Sequence, residues 1–195
     1  MSDTKPLTIK TNGPGVQVYH VQKTFLAGVS AKLVERCCQP PVKLDVSQDA
    51  FRIFLAWLLS RDVDEVESSQ KSLAQAWKFG AQYDMPDFQD AVMHKILSYL
   101  SAENICPCAV AEAYAVPERG TKLQRAFVAQ LAIDMRRGGI YAWNRKLFED
   151  HRFEEVSGFY LDLTEAMREA EYDPDDGGSF IEIQDYIFNA RDDTE

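Results

Sequence analysis

The side chains of this sequence best suited to metal binding or redox chemistry are its four cysteines, which fall into two pairs. Cys37 and Cys38 are adjacent, and one residue separates Cys106 from Cys108. Structural zinc sites more often use two cysteines separated by two residues, together with a second pair of Cys or His. Because neither pair has that spacing, we expect no metal site and four reduced thiols, buried or partly buried, as is usual in a reducing compartment.

The three histidines, His20, His94 and His151, are the natural candidates for acid–base catalysis. None of them lies in a motif that joins a histidine to a nucleophile or a metal, such as H-E-x-x-H. The segment NGPG at 12–15 is typical of a hairpin turn and does not match a phosphate-binding loop. We therefore expect no enzyme activity and no cofactor; the alternative is an enzyme whose site the sequence does not reveal.

One acidic segment has part of the spacing of a calcium loop. Asp173, Asp175 and Gly178 match positions 1, 3 and 6 of an EF-hand, whereas position 5 is Gly177 and position 12 is Gln184. The glutamate normally found at position 12 supplies two oxygen ligands. Its replacement favours a flexible acidic linker over a calcium site.

The overall composition argues against several classes of partner. The hydrophobic share of 46% and the charged share of 27% are ordinary for a soluble globular protein. A formal net charge of -10 disfavours a surface for nucleic acid or for anionic lipid. The sequence has neither an apolar run long enough to span a membrane nor a signal peptide. We expect a cytoplasmic or nuclear protein with no nucleic-acid or membrane partner.

The N-terminal part of the chain has the pattern of a small β-sheet. Leu7–Thr11 and Val16–Tyr19 contain β-branched residues and flank the NGPG turn, which predicts a hairpin. Val42–Val46 alternates apolar and polar residues and predicts a third strand. We expect all three strands to belong to one sheet.

Serine residues mark the start of two predicted helices, because a serine side chain can accept a hydrogen bond from a free N–H group of the first turn. Ser30 would begin a helix that ends near Cys38, and Ser47 would precede a helix at Ala50–Leu59. The second helix is apolar nearly all round, which is typical of a central buried helix. We expect Trp57 to be buried within it.

The segment Ser72–Leu100 is predicted to form two antiparallel helices joined by a sharp corner at 84–86. Pro86 suits the first turn of the second helix, where its missing N–H is not needed. Gly80 would allow another backbone to come close. Three further helices are predicted, at Asn104–Ala115 with Ser101 as a candidate cap, at Leu123–Met135 and at Phe153–Met167.

These segments together resemble the BTB/POZ family, in particular its fungal members. The run after the hairpin resembles the pattern "VHK..L...S..F", the central helix resembles "AF..f..WlY", and the helical pair resembles "L…A…A..Y..P.....V...L". The resemblance extends over about residues 7–137. The matching residues of the first two patterns are Val21, Lys23, Leu26, Ser30, Ala50, Phe51, Trp57 and Leu58.

The resemblance implies an α+β fold of the BTB/POZ type, with a small three-stranded sheet flanking a mostly helical body and extra C-terminal helices. It implies a BTB/POZ core at residues 1–100, a C-terminal helical extension packed on that core at 101–170, and an acidic linker and tail at 171–195. The implied function is that of a noncatalytic protein–protein interaction module, a scaffold or an adaptor.

The family also implies two partner-binding surfaces, a dimer face on the first helix and a contact with a cullin. A substrate adaptor of a cullin-type ubiquitin ligase is therefore the alternative function. Cullin-binding members often carry a glutamate two residues after the position of Phe51, where this chain has Ile53. The candidate partner-binding residues are Phe25, Leu26 and Val29 on the first surface and Arg61, Asp84, Met85 and Asp87 on the second.

We expect a monomer or a weak homodimer. Dimers of the family that exchange an N-terminal strand need an extra segment before the hairpin, and only residues 1–6 precede Leu7. Two copies that each carry a net charge of -10 also repel each other. Strand exchange is therefore not expected.

Overall fold

A computed structural model describes residues 6–12, 17–38, 42–102, 105–115, 118–136 and 158–170. Within these ranges, eight helices and a small three-stranded mixed sheet make an α+β fold that is mostly helical, as predicted. The chain divides into two compact units, Met1–Val92 and Met93–Glu195. The predicted division into core, extension and tail stays a prediction, and residues 171–195 lie outside the described part of the chain.

The sheet has its N-terminal strand in the middle. Strand β1 (Pro6–Asn12) pairs antiparallel with β2 (Val18–Gln22) and parallel with β3 (Lys43–Ser47). The prediction that the hairpin and the third strand share a sheet is confirmed. Strand β2 continues past its predicted end at Tyr19, because Val21 still pairs with β1 and is buried.

Serine caps define the starts of three helices in the first unit. The hydroxyl oxygens of Ser30, Ser47 and Ser69 each accept a backbone N–H of the following turn. The predicted caps at Ser30 and Ser47 are confirmed, whereas Ser69 was missed because its polar neighbours are typical of a loop. The helices are α1 (Lys23–Ala27), α2 (Ala31–Cys37), α3 (Gln48–Ser60), α4 (Gln70–Gln82) and α5 (Pro86–Ala102), which continues past the end of this unit.

An aromatic cluster forms the core of the first unit. The ring of Phe54 lies with its centroid 5.3 Å from that of Phe79 and 5.4 Å from that of Phe88, which joins α3 to α4 and α5. Trp57 is 4% exposed and its ring lies 5.2 Å from Phe88, so its predicted burial is confirmed. The expectation that α3 is buried on every side is wrong, because the charged residues of its first half are exposed and Leu59 in its last turn is 77% exposed.

Gly80 allows close packing between α4 and α5, but side chains fill the space instead of a backbone. A Cβ atom at this position would lie 2.6 Å from Cγ of Gln89 and 3.2 Å from Cδ1 of Phe88. Contacts under about 3.0 Å are not found for real Cβ atoms. A small residue therefore allows close packing at this position, as predicted, but the atoms that come close belong to side chains of α5 and not to its backbone.

The second unit contains α6 (Pro107–Tyr114), α7 (Lys122–Arg136) and α8 (Phe159–Ala170). Helices α7 and α8 pack together, and Phe127, Leu131 and the other inward residues of this pair are buried. Helix α6 begins with Pro107 in its first turn, which is later than the predicted start because Ser101 belongs to α5. No helix among the described residues is long and apolar enough to cross a membrane.

A hydrogen-bonded triad connects α6 to α8. The hydroxyl of Tyr114 donates to Oδ2 of Asp162 at 3.0 Å, and the guanidinium of Arg119 donates to Oδ1 of the same carboxylate at 2.9 Å. The ring of Phe159 packs edge-on against Tyr114 with centroids 5.5 Å apart. Both oxygens of this carboxylate are therefore used to hold the second unit together.

Candidate functional site

A surface groove of about 390 Å³ lies where three segments of the first unit meet. The turn between α1 and α2 forms one part, the end of α3 forms another, and the corner between α4 and α5 forms the third. Six of the eight lining residues are uncharged and lack polar side-chain oxygens, and the other two are one cation and one carboxylate. The lining residues are Gly28, Val29, Trp57, Arg61, Met85, Pro86, Asp87 and Ala91.

The corner between α4 and α5 has the geometry of a Schellman motif, which ends a helix with a residue in the left-handed conformation. Asp84 takes that position with φ 54°, and its N–H donates to the carbonyl of Ala81 at 3.3 Å. The N–H of Met85 donates to the carbonyl of Gly80 at 2.9 Å. These bonds turn the chain sharply, so that Met85 and the residues that follow enter the groove wall.

Two further contacts hold this corner against the start of α2. The Ser30 hydroxyl accepts the N–H of Leu33 at 2.9 Å and donates to the carbonyl of Tyr83 at 2.6 Å. Outside the groove, Nζ of Lys32 lies 3.3 Å from the carboxylate of Asp84, in an exposed ion pair. Exposed pairs contribute little to stability, so the buried serine bond is the contact that fixes the corner.

Arg61 caps the end of α3 in an unusual backbone conformation. Its φ is 61°, and its N–H donates to the carbonyl of Trp57 at 2.8 Å. Its guanidinium carbon lies 4.5 Å from the centroid of the Trp57 ring, which is within the range of a cation–π contact. Among the described residues no carboxylate is paired with this guanidinium.

The structure brings four of the seven predicted partner-binding residues to this groove: Val29, Arg61, Met85 and Asp87. The sequence had placed Val29 on a different surface from the other three. Asp84 lies at the corner beside the groove, and Phe25 is 49% exposed on α1 without lining it. Leu26 is fully buried, so its inclusion in the first surface is corrected, because its side chain belongs to the core.

Trp57 and Ala91 are groove residues that sequence reasoning did not place there. The pattern of α3 identified Trp57 as a core residue, and it is both buried and part of the groove wall. Ala91 is a small residue on α5 whose size leaves space for the groove. The sequence signal for Ala91 was its position four residues after Asp87, because residues four apart lie on the same face of a helix.

Titratable groups with shifted pKa values lie away from the groove. Burial raises the pKa of Tyr83, with Arg36 lowering it in part, and burial also raises the pKa of Tyr114, together with the hydrogen bond to Asp162. Neither phenol lines the groove. The groove combines apolar surface with one cation and one carboxylate, which is an arrangement suited to recognition.

The structure corrects the prediction for one cysteine pair. Cys106 and Cys108 are joined by a disulfide, with Cα atoms 5.4 Å apart, whereas reduced thiols were expected. The spacing of this pair disfavours zinc, but it does not distinguish two free thiols from a disulfide between them. Cys37 is buried, and burial raises the pKa of its thiol to about 11, whereas Cys38 is exposed.

In the described residues, no group of three or more His, Cys, Asp or Glu side chains is arranged to hold a metal ion. The EF-hand spacing that begins at Asp173 lies outside the described residues, as does His151. His20 is exposed and lies 3.3 Å from Oγ1 of Thr8 through Nδ1. His94 is exposed on α5.

Comparison with family models, curated proteins and solved structures found no match to this chain.

Proposed function

We propose that this chain is a noncatalytic protein–protein interaction module of the BTB/POZ type, which binds a segment of a partner protein in the groove. The motif resemblance in the sequence supports the family, and the α+β architecture agrees with it in class. The groove supports the binding role, because it combines an apolar wall with a small number of placed polar groups.

The observation that carries this proposal is the left-handed backbone conformation of two residues at the groove. Among the described non-glycine residues, Arg61 and Asp84 have positive φ, and they lie in or beside this groove. A non-glycine residue in this conformation costs about 1–3 kcal/mol, and such residues cluster at ligand-binding sites. Two of them at one groove support the proposal that the ends of α3 and α4 bind a ligand in addition to terminating their helices.

The groove chemistry favours a partner segment that carries one apolar side chain and one carboxylate. The apolar side chain would contact Val29, Pro86 and Ala91, which line the groove and are at least partly exposed. The carboxylate would pair with the guanidinium of Arg61, which stacks on Trp57 and is therefore already oriented. Asp87 would repel a second carboxylate nearby, which restricts the partner to a single acidic residue at this point.

Selection of short peptides from a display library against the full chain tests this proposal. We expect the selected peptides to share an acidic residue close to a large apolar residue. Their dissociation constants are then measured with two matched variants, Arg61→Asn and Arg52→Asn. Asparagine removes the guanidinium and tolerates positive φ, so it preserves the helix end.

We expect Arg61→Asn to weaken binding by about 10- to 100-fold, which corresponds to the loss of a charge-assisted hydrogen bond. Arg52→Asn should change binding by less than about two-fold, because Arg52 is exposed on α3 and does not line the groove. Peptides that share no motif, or that bind both variants equally, would contradict the groove as the binding site.

The alternative role, as a substrate adaptor of a cullin-type ubiquitin ligase, has less support. The residue that stands where cullin-binding members often carry a glutamate is Ile53. Its side chain is 1% exposed and belongs to the core. A partner could not contact this position without rearrangement of α3.

A further inference from the structure

The disulfide between Cys106 and Cys108 closes a very short loop. Only Pro107 lies between the two cysteines, so the bond restricts little of the unfolded chain. The stabilising effect of a disulfide grows with the length of the loop that it closes. A bond across one residue therefore adds little to the stability of the fold, which points to a chemical role for this pair.

The pair also lies where a thiolate is favoured. Cys106 is the N-cap of α6 and Cys108 lies in its first turn, at the positive end of the helix dipole. The Cys106 side chain makes no capping hydrogen bond. A helix N-terminus lowers the pKa of a cysteine thiol and so stabilises the thiolate that leaves when a disulfide is cleaved.

Both cysteines of this pair are partly exposed, so a small thiol can reach them. Cys37 provides a contrast within the same chain, because it is 2% exposed and is the last residue of α2. Reactive cysteines are those that combine exposure with a stabilised thiolate. Cys106 and Cys108 combine partial exposure with a place at a helix N-terminus, whereas Cys37 is buried at the other end of its helix.

We propose that Cys106-Pro107-Cys108 is a thiol–disulfide exchange site whose co-reactant is glutathione. A glutathione thiolate attacks one sulfur of the pair, the S–S bond breaks, and the other cysteine leaves as a thiolate. A second glutathione thiolate then attacks the mixed disulfide and releases oxidised glutathione. The pair gains two electrons and, in its thiol form, the two protons lost by the two glutathione thiols. The reverse sequence forms the disulfide again.

The experiment equilibrates the folded chain in buffers with different ratios of reduced to oxidised glutathione. Free thiols are then alkylated and the intact mass is measured, with peptide mapping of Cys106 and Cys108. A Cys38→Ser variant is used, because exposed Cys38 would itself form mixed disulfides. We expect alkylation of Cys106 and Cys108 to fall together as the share of oxidised glutathione rises. The midpoint of this transition should lie within the range of glutathione ratios used.

Two further variants in the same background trap the intermediate. Cys108→Ser leaves Cys106 without its resolving partner, and Cys106→Ser does the same for Cys108. Each should accumulate one glutathione in oxidised buffer, whereas the buried Cys37 should accumulate none in any variant. Circular dichroism of the Cys38→Ser chain should stay unchanged across the titration, since the disulfide adds little to stability.

Three results would overturn the proposal. The first is a pair that stays fully alkylated at every ratio, which would mean that the disulfide does not form. The second is a pair that stays oxidised in the most reducing buffer, which would mean that the bond is inert to exchange. The third is loss of circular dichroism on reduction, which would mean that the bond is structural. The titration does not depend on the groove or on any binding partner.

Discussion

The guanidinium of Arg61 lies over the face of Trp57, with its central carbon 4.5 Å from the ring centroid. The other contacts of this ring are inside the protein, where Phe54 and Phe88 pack against it. Trp57 therefore supports the core with one part of its surface and holds a charged group of the groove with another. A change at this residue should affect both stability and binding.

Replacing Trp57 with alanine should lower the free energy of unfolding by about 3–5 kcal/mol, as is usual for large aromatic residues in cores. The physical reason is the loss of packing against Phe88 and Phe54 at a residue that is 4% exposed. Chemical denaturation measures the loss, with Trp57→Phe as a control that retains part of the volume. A loss under about 1 kcal/mol would be incompatible with a buried indole.

Gly80→Ala should destabilise the protein even though alanine favours helices over glycine by about 1 kcal/mol. The added methyl group would collide with Cγ of Gln89 and Cδ1 of Phe88, and overpacking typically costs about 1–3 kcal/mol. We expect a net loss in denaturant titrations. Gly28→Ala is the matched control and should be close to neutral, because its Cβ would have only carbonyl oxygens at 3.7 and 3.9 Å nearby. Equal stability of the two variants would argue against the α4–α5 packing described above.

Tyr114→Phe should lower the free energy of unfolding by about 1 kcal/mol at pH 7, through loss of the hydrogen bond to Asp162. Burial and this bond raise the pKa of the Tyr114 phenol above its unfolded value of about 10. The folded state then holds the proton more tightly, so the stabilising effect is complete below pH 10 and declines as the pH rises above it. The difference between the native chain and Tyr114→Phe should therefore shrink as the pH rises from about 10 to about 11. A difference that stays constant over this range would show that the phenol is not buried.

The two neighbouring cysteines of α2 should react at very different rates. Cys37 is 2% exposed with a thiol pKa raised to about 11, so at pH 8 roughly one molecule in a thousand carries its thiolate. Cys38 is exposed. Iodoacetamide should therefore label Cys38 in the folded protein and Cys37 only after unfolding, as read by peptide mass mapping. Equal labelling of both in native buffer would contradict the burial of Cys37.

In solution at micromolar concentration the protein should have the mass of one chain, 22.1 kDa, or form only a weak dimer. The net charge of -10 opposes self-association, although salt screens it beyond about 8 Å at physiological ionic strength. Light scattering should give the same mass for Phe25→Glu and for its control Leu161→Glu, which alters an exposed leucine of the second unit. A mass of two chains that persists at nanomolar concentration, and that Phe25→Glu alone abolishes, would place a dimer interface on α1.

The elements that the sequence predicted best are those marked by local chemistry. The hydroxyls of Ser30 and Ser47 and the ring of Pro86 act within one helical turn, so the sequence next to them contains the whole signal. The start of α6 was predicted too early for the opposite reason. Ser101 is a good capping residue, but α5 continues through it, which depends on packing and not on the residue itself.

The candidate site could be predicted only in pieces. Val29 and Met85 are separated widely in the sequence, yet both line the groove, and next to them in the chain the Ser30 hydroxyl donates to the Tyr83 carbonyl. No local pattern encodes that contact. The left-handed conformation of Arg61 was equally hidden, because arginine has no preference for it and only the surrounding structure imposes it. Leu26 was misassigned because a short helix of five residues shows too little periodicity to separate its buried side from its exposed side.

The central position of β1 has a consequence for how the chain is made. On the ribosome β1 emerges first, and β2 can pair with one of its edges once Gln22 has left the exit tunnel. Its other edge waits for β3, which follows only after α1 and α2. During that interval the nascent chain presents unpaired N–H and C=O groups, to which a foreign strand could add. A chaperone that shields residues 6–12 until residue 47 has been synthesised would protect the step on which the sheet depends.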